Sequence, residues 1–131
     1  MSQLFADLGL VPDLTRAIAD QGYTQPTPIQ VEAIPHVISG RDVLGCAQTG
    51  TGKTAAFLVA MFAKLLREPA SASKPASSPR AFIMAPTREL ADQVASSFDK
   101  YAKNHKLNWA LLIGGVSFED QEKKLDRGVD V

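Results

Sequence analysis

Residues 47–54 read Ala47-Gln48-Thr49-Gly50-Thr51-Gly52-Lys53-Thr54 and carry the densest chemistry in the chain. They follow a short apolar run, Asp42-Val43-Leu44-Gly45-Cys46, and open a long apolar helix from Ala55 to Leu66. Strand, glycine-rich turn, Gly-Lys-Thr and helix form the context of a phosphate-binding loop. Glycines let successive N–H groups turn inward toward phosphate oxygens, and the following helix adds its positive N-terminal end. Lys53 would bring a full charge to the outer phosphates, and Thr54 would offer a hydroxyl to Mg2+. Ala47 departs from the general pattern, which places glycine there. The plainer alternative is an ordinary strand–turn–helix.

A second constellation lies upstream, in Gly22-Tyr23-Thr24-Gln25-Pro26-Thr27-Pro28-Ile29-Gln30. Thr27 suits an N-cap and Pro28 the first helical position. Thr27 and Gln30 also have the spacing of a capping box, in which Gln30 reaches back to the N-cap amide. The same carboxamide, a donor beside an acceptor, matches the N6 and N7 edge of adenine. Tyr23 reads either as a base-stacking ring or as an aromatic cover for a helix end.

The elements that must position these groups alternate. Helices are expected at 12–20, 27–40 (with Pro35 inside it and expected to kink it), 53–67, 87–103 and 117–126. Strands are expected at 42–46, 81–85 and 108–113, with a fourth opening at 128–131. In the fourth helix Leu90, Val94, Phe98 and Tyr101 share one face. The rhythm implies a parallel α/β sheet covered by helices, with right-handed crossovers. Residues 69–79 hold no large apolar side chain and read as a flexible surface loop within one domain.

At 131 residues, with 45% hydrophobic residues, the chain suits a single domain or part of one. Fourteen basic and fourteen acidic residues give a formal net charge of +0, so composition alone gives no sign of nucleic acid. Cys46 is the only cysteine, which leaves no intramolecular disulfide, and its apolar surroundings predict a small buried core residue. His36 and His105 stand apart without metal-ligand spacing. The first residues lack a basic head and an apolar stretch, so no signal peptide is expected. The most apolar segment, 55–63, is too short to span a bilayer. No membrane partner and a cytoplasmic location are the resulting expectations.

Together the motifs resemble the DEAD-box RNA helicases. Gly22 to Gln30 is similar to that family's adenine-reading Q motif, and Phe5 stands where the family has its upstream aromatic. Ala47 to Thr54 is similar to the family's own phosphate loop, which begins with alanine. Pro86-Thr87-Arg88-Glu89-Leu90-Ala91 is similar to its RNA-backbone motif, and Gly114-Gly115 with Gln121 to its double-glycine segment. The resemblance implies the N-terminal portion of a first RecA-like domain across 1–131, with Phe5, Tyr23, Gln25 and Gln30 around adenine. It puts phosphates on Thr49, Gly50, Thr51, Gly52, Lys53 and Thr54. RNA backbone would meet Pro86, Thr87, Arg88, Gly114 and Gly115, with little sequence preference. Read without the family, Pro86 to Glu89 is a helix start and Gly114-Gly115 a turn.

The resemblance also implies what lies outside these residues: the Asp-Glu-Ala-Asp and Ser-Ala-Thr segments and the second RecA-like domain. Lys53 and Thr54 are then the catalytic groups that this stretch supplies. The parent protein would be an ATP-dependent RNA helicase, whereas the stretch alone would bind ATP, ADP or AMP without hydrolysis and hold Mg2+ weakly. Strands missing beside 42–46 would leave a truncated sheet with an unpaired flank, so the stretch is expected to be marginal, to pair with itself through sheet edges or to rearrange. Two alternatives stand beside this: a non-catalytic RNA- or partner-binding module with a vestigial nucleotide pocket, and a small kinase or GTPase. The segment 23–30 argues against the latter.

Overall fold

A computed structural model describes residues 4–48, 50, 52–67, 79–103, 105 and 107–131. Five α-helices lie among them: α1 Pro12–Asp20, α2 Pro28–Ile38, α3 Lys53–Arg67, α4 Arg88–Ala102 and α5 Phe118–Asp126. A 3-10 turn, Phe5–Leu8, precedes them. The chain divides into two compact units, Met1–Glu68 and Pro69–Val131. The predicted flexible loop at 69–79 lies outside the described residues except for Pro79.

In the first unit, α3 packs on α2 and α1, and the 3-10 turn packs on both α1 and α2. Leu14, Ile18, Ile34, Leu58, Val59 and Phe62 are its most deeply buried large side chains. Both connecting helices end in the same manner. Gly22 N–H donates to Ala19 O and Tyr23 N–H to Ile18 O; Gly40 N–H donates to Val37 O and Arg41 N–H to His36 O. Each pair satisfies carbonyls that a helix end leaves open and turns the chain sharply away. These turns deliver Tyr23 to the start of the Gly22–Gln30 segment and Arg41 to the segment before the phosphate loop. Helix α2 runs through Pro35 to Ile38. Arg67 Nη2 donates to Gly9 O at 2.7 Å, tying the end of α3 to the N-terminal turn.

The four predicted strands are the principal difference. Among the described residues, 41–48, 81–85, 107–113 and 129–131 belong to no helix and form no strand ladder. A strand exists only with a partner, and here pairing begins without propagating. Arg80 and Ala81 N–H donate to Asp130 O, Asp130 and Val131 N–H donate to Asn108 O, and Ala110 N–H donates to Val131 O. Residues 41–48 show the consequence most plainly, with Leu44 92% exposed. Cys46, expected in the core, is exposed as well, because no neighbouring strand covers its segment.

In the second unit, Val94, Phe98, Tyr101 and Ala102 form the buried face of α4, whereas Leu90, predicted to share it, is exposed. Phe98 and Trp109 meet at 5.6 Å between ring centroids, tilted by 56°. Asp130 fastens Arg80 and Asn108 together. Its carboxylate accepts from Arg80 Nη2 at 2.9 Å, Arg80 Nε at 3.1 Å and Asn108 N–H at 3.0 Å. The pair is mostly shielded, each side chain 18% exposed, so it exceeds an ordinary surface ion pair in value. By contrast Lys123–Glu119 on α5 is a solvated pair that adds little. We predict that Asp130→Ala lowers the stability of this unit by about 1–3 kcal/mol, the cost of leaving a half-buried donor set unpaired. Urea unfolding followed by Trp109 fluorescence measures it; an unchanged midpoint would show that Asp130 is dispensable.

Candidate functional site

Helix α2 begins where the sequence places it, with Thr27 as N-cap and Pro28 at the first position. Only half of the capping box forms. Gln30 Oε1 accepts from Thr27 N–H at 2.9 Å, while Thr27 Oγ1 is buried without a hydrogen-bond partner. The other end of the same carboxamide crosses to the phosphate loop, where Gln30 Nε2 donates to Gly52 O at 3.1 Å. Gln30 is 2% exposed and is the buried polar side chain among the described residues of the first unit. A single side chain therefore joins the segment 22–30 to the loop 47–54.

Gly52 is shaped for this approach. Its φ is +86°, and a Cβ there would lie 2.4 Å from Gln30 Nε2 and 3.2 Å from Thr27 Oγ1. A side chain at 52 is excluded both by backbone conformation and by the neighbouring carboxamide. Beyond Gly52, helix α3 starts at Lys53, and Ala56 N–H makes the first intrahelical bond, to Gly52 O. Amides of the first turn are thus directed out of the helix end, which favours an anion. Lys53 Nζ donates to Ala47 O, folding the ammonium back across the loop. Thr54 is half-buried at the helix start, and Gly50 is exposed. Thr49 and Thr51 lie outside the described residues.

The remaining members of the expected adenine site are dispersed in character. Tyr23 is 50% exposed and Gln25 is exposed, whereas Phe5 is 4% exposed, buried in the 3-10 turn that packs on α1 and α2. Tyr23 is free to stack on a flat ligand. Phe5 is a core residue of the 3-10 turn.

The expected RNA-contacting residues belong to the second unit. Thr87 caps α4, its Oγ1 accepting from Leu90 N–H at 3.2 Å. Pro86, Thr87 and Arg88 are exposed. Arg88 Nη2 donates to Gly114 O, so the helix start and the double-glycine turn are brought together. A Cβ at Gly115, whose φ is +80°, would lie 2.9 Å from Arg88 Nη2. Gln121 braces this turn from the far side. Its Oε1 accepts from Ile113 N–H at 2.9 Å, and its Nε2 donates to Val116 O and Ser117 O, both at 3.3 Å. The sequence singled out Gln121 by position but assigned it no role; its brace joins both sides of the glycine pair. Exposed arginine, helix N-terminus and bare backbone form a surface suited to phosphate.

The family model of the DEAD/DEAH box helicases matches residues 27–131. The chain belongs to this family. It is 47% identical over 130 residues to the ATP-dependent RNA helicase RhlB of Shewanella sp. (strain ANA-3), a match covering 99% of this chain and 30% of the relative. RhlB of Shewanella baltica (strain OS155 / ATCC BAA-1091) matches to the same extent. Among solved structures, the RNA-helicase Prp28 from Chaetomium thermophilum bound to ADP superposes with a TM-score of 0.81 at 36% identity, over 96% of this chain and 30% of that one. A DEAD box protein from the hyperthermophile Methanococcus jannaschii superposes with 0.83 at 30% identity, over 100% and 34%. The chain thus spans about 30% of the length of its curated relatives and has the fold of a partial RecA-like DEAD domain. Among the described residues, no helix is long and apolar enough to cross a membrane.

The link between α2 and the loop predicts a sensitive position. Gly52→Ala forces a strained φ and displaces the Gln30 carboxamide. We expect a loss of about 2 kcal/mol or more, combining left-handed strain with one broken buried hydrogen bond. Equilibrium denaturation monitored by circular dichroism tests this, and a wild-type midpoint would contradict the packing around Gly52.

Proposed function

We propose that this chain carries the nucleotide-binding and part of the RNA-gripping surface of a DEAD-box ATP-dependent RNA helicase. The observation that carries the reading is the bridge from Gln30 to Gly52, which sets an adenine-matching carboxamide directly against a phosphate loop. Its relatives are ATP-dependent RNA helicases, and one structural neighbour is bound to ADP.

On this reading the phosphates of ATP, ADP or AMP sit on Gly50, Gly52 and the first amides of α3, together with Thr49 and Thr51. Lys53 leaves Ala47 O for the outer phosphates, an exchange of a neutral acceptor for a charged one. Gln30 turns its carboxamide toward adenine, and Tyr23 covers the base, with Gln25 beside it and Phe5 packed below. ATP supplies the phosphoanhydride whose hydrolysis the parent enzyme couples to RNA strand separation. Mg2+ would have Thr54 as its protein hydroxyl. In this chemistry a carboxylate shares the Mg2+, and the family resemblance assigns it to an Asp-Glu-Ala-Asp segment that residues 1–131 do not contain. Lys53 and Thr54 therefore bind and orient, and this chain by itself does not hydrolyse ATP. RNA backbone lies across Pro86, Thr87, Arg88, Gly114 and Gly115.

One observation favours a second reading, a vestigial pocket on an RNA- or partner-binding module. Both Lys53 and Gln30 already donate to main-chain carbonyls of the loop. Calorimetric titration with AMP, ADP, ATP and GTP separates the two. We expect adenine-selective binding that Gln30→Ala weakens about tenfold, the scale of one to two lost hydrogen bonds. Equal affinity for ATP and GTP would remove the adenine assignment, and no binding by a folded chain would favour the second reading.

RNA binding gives an independent test. Arg88→Ala should weaken single-stranded RNA of any sequence and reduce the salt slope of log K by about 0.7, the release expected from one phosphate contact. Fluorescence anisotropy across a salt series measures this; an unchanged slope would take Arg88 off the RNA.

A further inference from the structure

Two successive glycines make a loosely determined joint, because neither has the Cβ that narrows φ and ψ. Gly114 and Gly115 are both exposed, and Gly115 sits at φ +80°. One side chain nevertheless clamps this joint from both ends. On the entry side Gln121 Oε1 accepts from Ile113 N–H at 2.9 Å. On the exit side Gln121 Nε2 donates to Val116 O and Ser117 O, both at 3.3 Å. The clamp needs an acceptor and a donor at the tip of one side chain, which a carboxamide has and an ionised carboxylate or ammonium lacks. Helix α5 has no fully buried side chain, which gives this polar tie its weight.

The turn held in this way offers Gly114 O to Arg88 Nη2. Gly115 lies close to the same guanidinium, since a Cβ there would be 2.9 Å from Nη2. One N–H of the guanidinium is thus used to orient the planar fork, and the others can address a phosphate. We propose that Gln121 is a positioning residue for RNA. By clamping residues 113–117 it fixes Gly114 O, and through that carbonyl it holds the Arg88 guanidinium in phosphate-binding geometry, without touching RNA itself. The inference rests on the proposed reading of Arg88 as an RNA-backbone contact. Its physical basis is preorganisation. An unclamped glycine pair and a freely rotating arginine would have to be ordered when RNA binds, whereas here that ordering is complete before RNA arrives.

The test is a double-mutant cycle on the 131-residue chain, read by fluorescence anisotropy with single-stranded RNA across a salt series. Gln121→Met keeps an unbranched side chain and helix propensity but removes the hydrogen bonds. Gln121→Asn keeps the carboxamide but leaves it one methylene short of the turn. Neither alters charge. We expect each to weaken RNA about fivefold, the scale of one long side chain left to be ordered at binding. Each should also lower the salt slope, as Arg88→Ala does. In an Arg88→Ala background the same changes should cost less than about twofold, because the group they position is gone. A variant that merely destabilised the fold would lose binding by the same factor in both backgrounds. Equal factors therefore overturn the proposal, as does wild-type RNA affinity in either variant. If Arg88→Ala leaves RNA binding unchanged, the RNA reading of Arg88 falls and this inference falls with it. A loss at Arg88 without coupling to position 121 overturns this inference alone.

Discussion

A carboxamide can make few hydrogen bonds, and Gln30 has committed one of each kind. Its oxygen accepts from the amide of Thr27, the N-cap of α2, and its nitrogen donates to the carbonyl of Gly52. Burial makes both bonds matter, because a buried amide left unpaired costs more than either bond contributes when made. The side chain therefore fixes the start of α2 relative to the turn that opens α3. These two helices form the main packed pair of their unit. Much follows from this single bridge: the close approach at Gly52, the absence of a side chain there, and the placing of the helix end where phosphate would bind.

The same commitment shapes the chemistry. A ligand that presents adenine to Gln30 competes with protein groups for the same two hydrogen-bonding atoms. A ligand that presents phosphate to Lys53 competes with the carbonyl of Ala47. On the proposed reading, binding is an exchange of partners and not a simple addition. The two exchanges lie on either side of Gly52. On that reading base and phosphate would be coupled through the short stretch around Gly52.

Helices were legible in the residues because their signals are local. Thr27-Pro28, Thr87 and Ser117 mark starts, and apolar spacing marks most of the face that α4 buries. Strands were not, since a strand is a relation between segments. The sequence around Cys46 reads as an interior strand, yet the residue is exposed because no ladder covers it. Leu90 fails for a related reason: periodicity names a helix face but not how far the neighbouring surface extends. The bridge from Gln30 to Gly52 spans 22 positions, and local spacing revealed only its capping half. At Gln121, family resemblance marked the position, while its role as a brace emerged only from three hydrogen bonds around the glycine turn.

The central claim is that Gln30 exchanges its partners when adenine binds. The most direct measurement is NMR of the Gln30 side-chain amide and the backbone around Gly52 during titration with AMP, GMP and inorganic phosphate. The account predicts that AMP moves the Gln30 carboxamide signals and the neighbouring loop signals together, while GMP and phosphate move the loop without the carboxamide. Saturation with AMP that leaves the Gln30 carboxamide unchanged would contradict it.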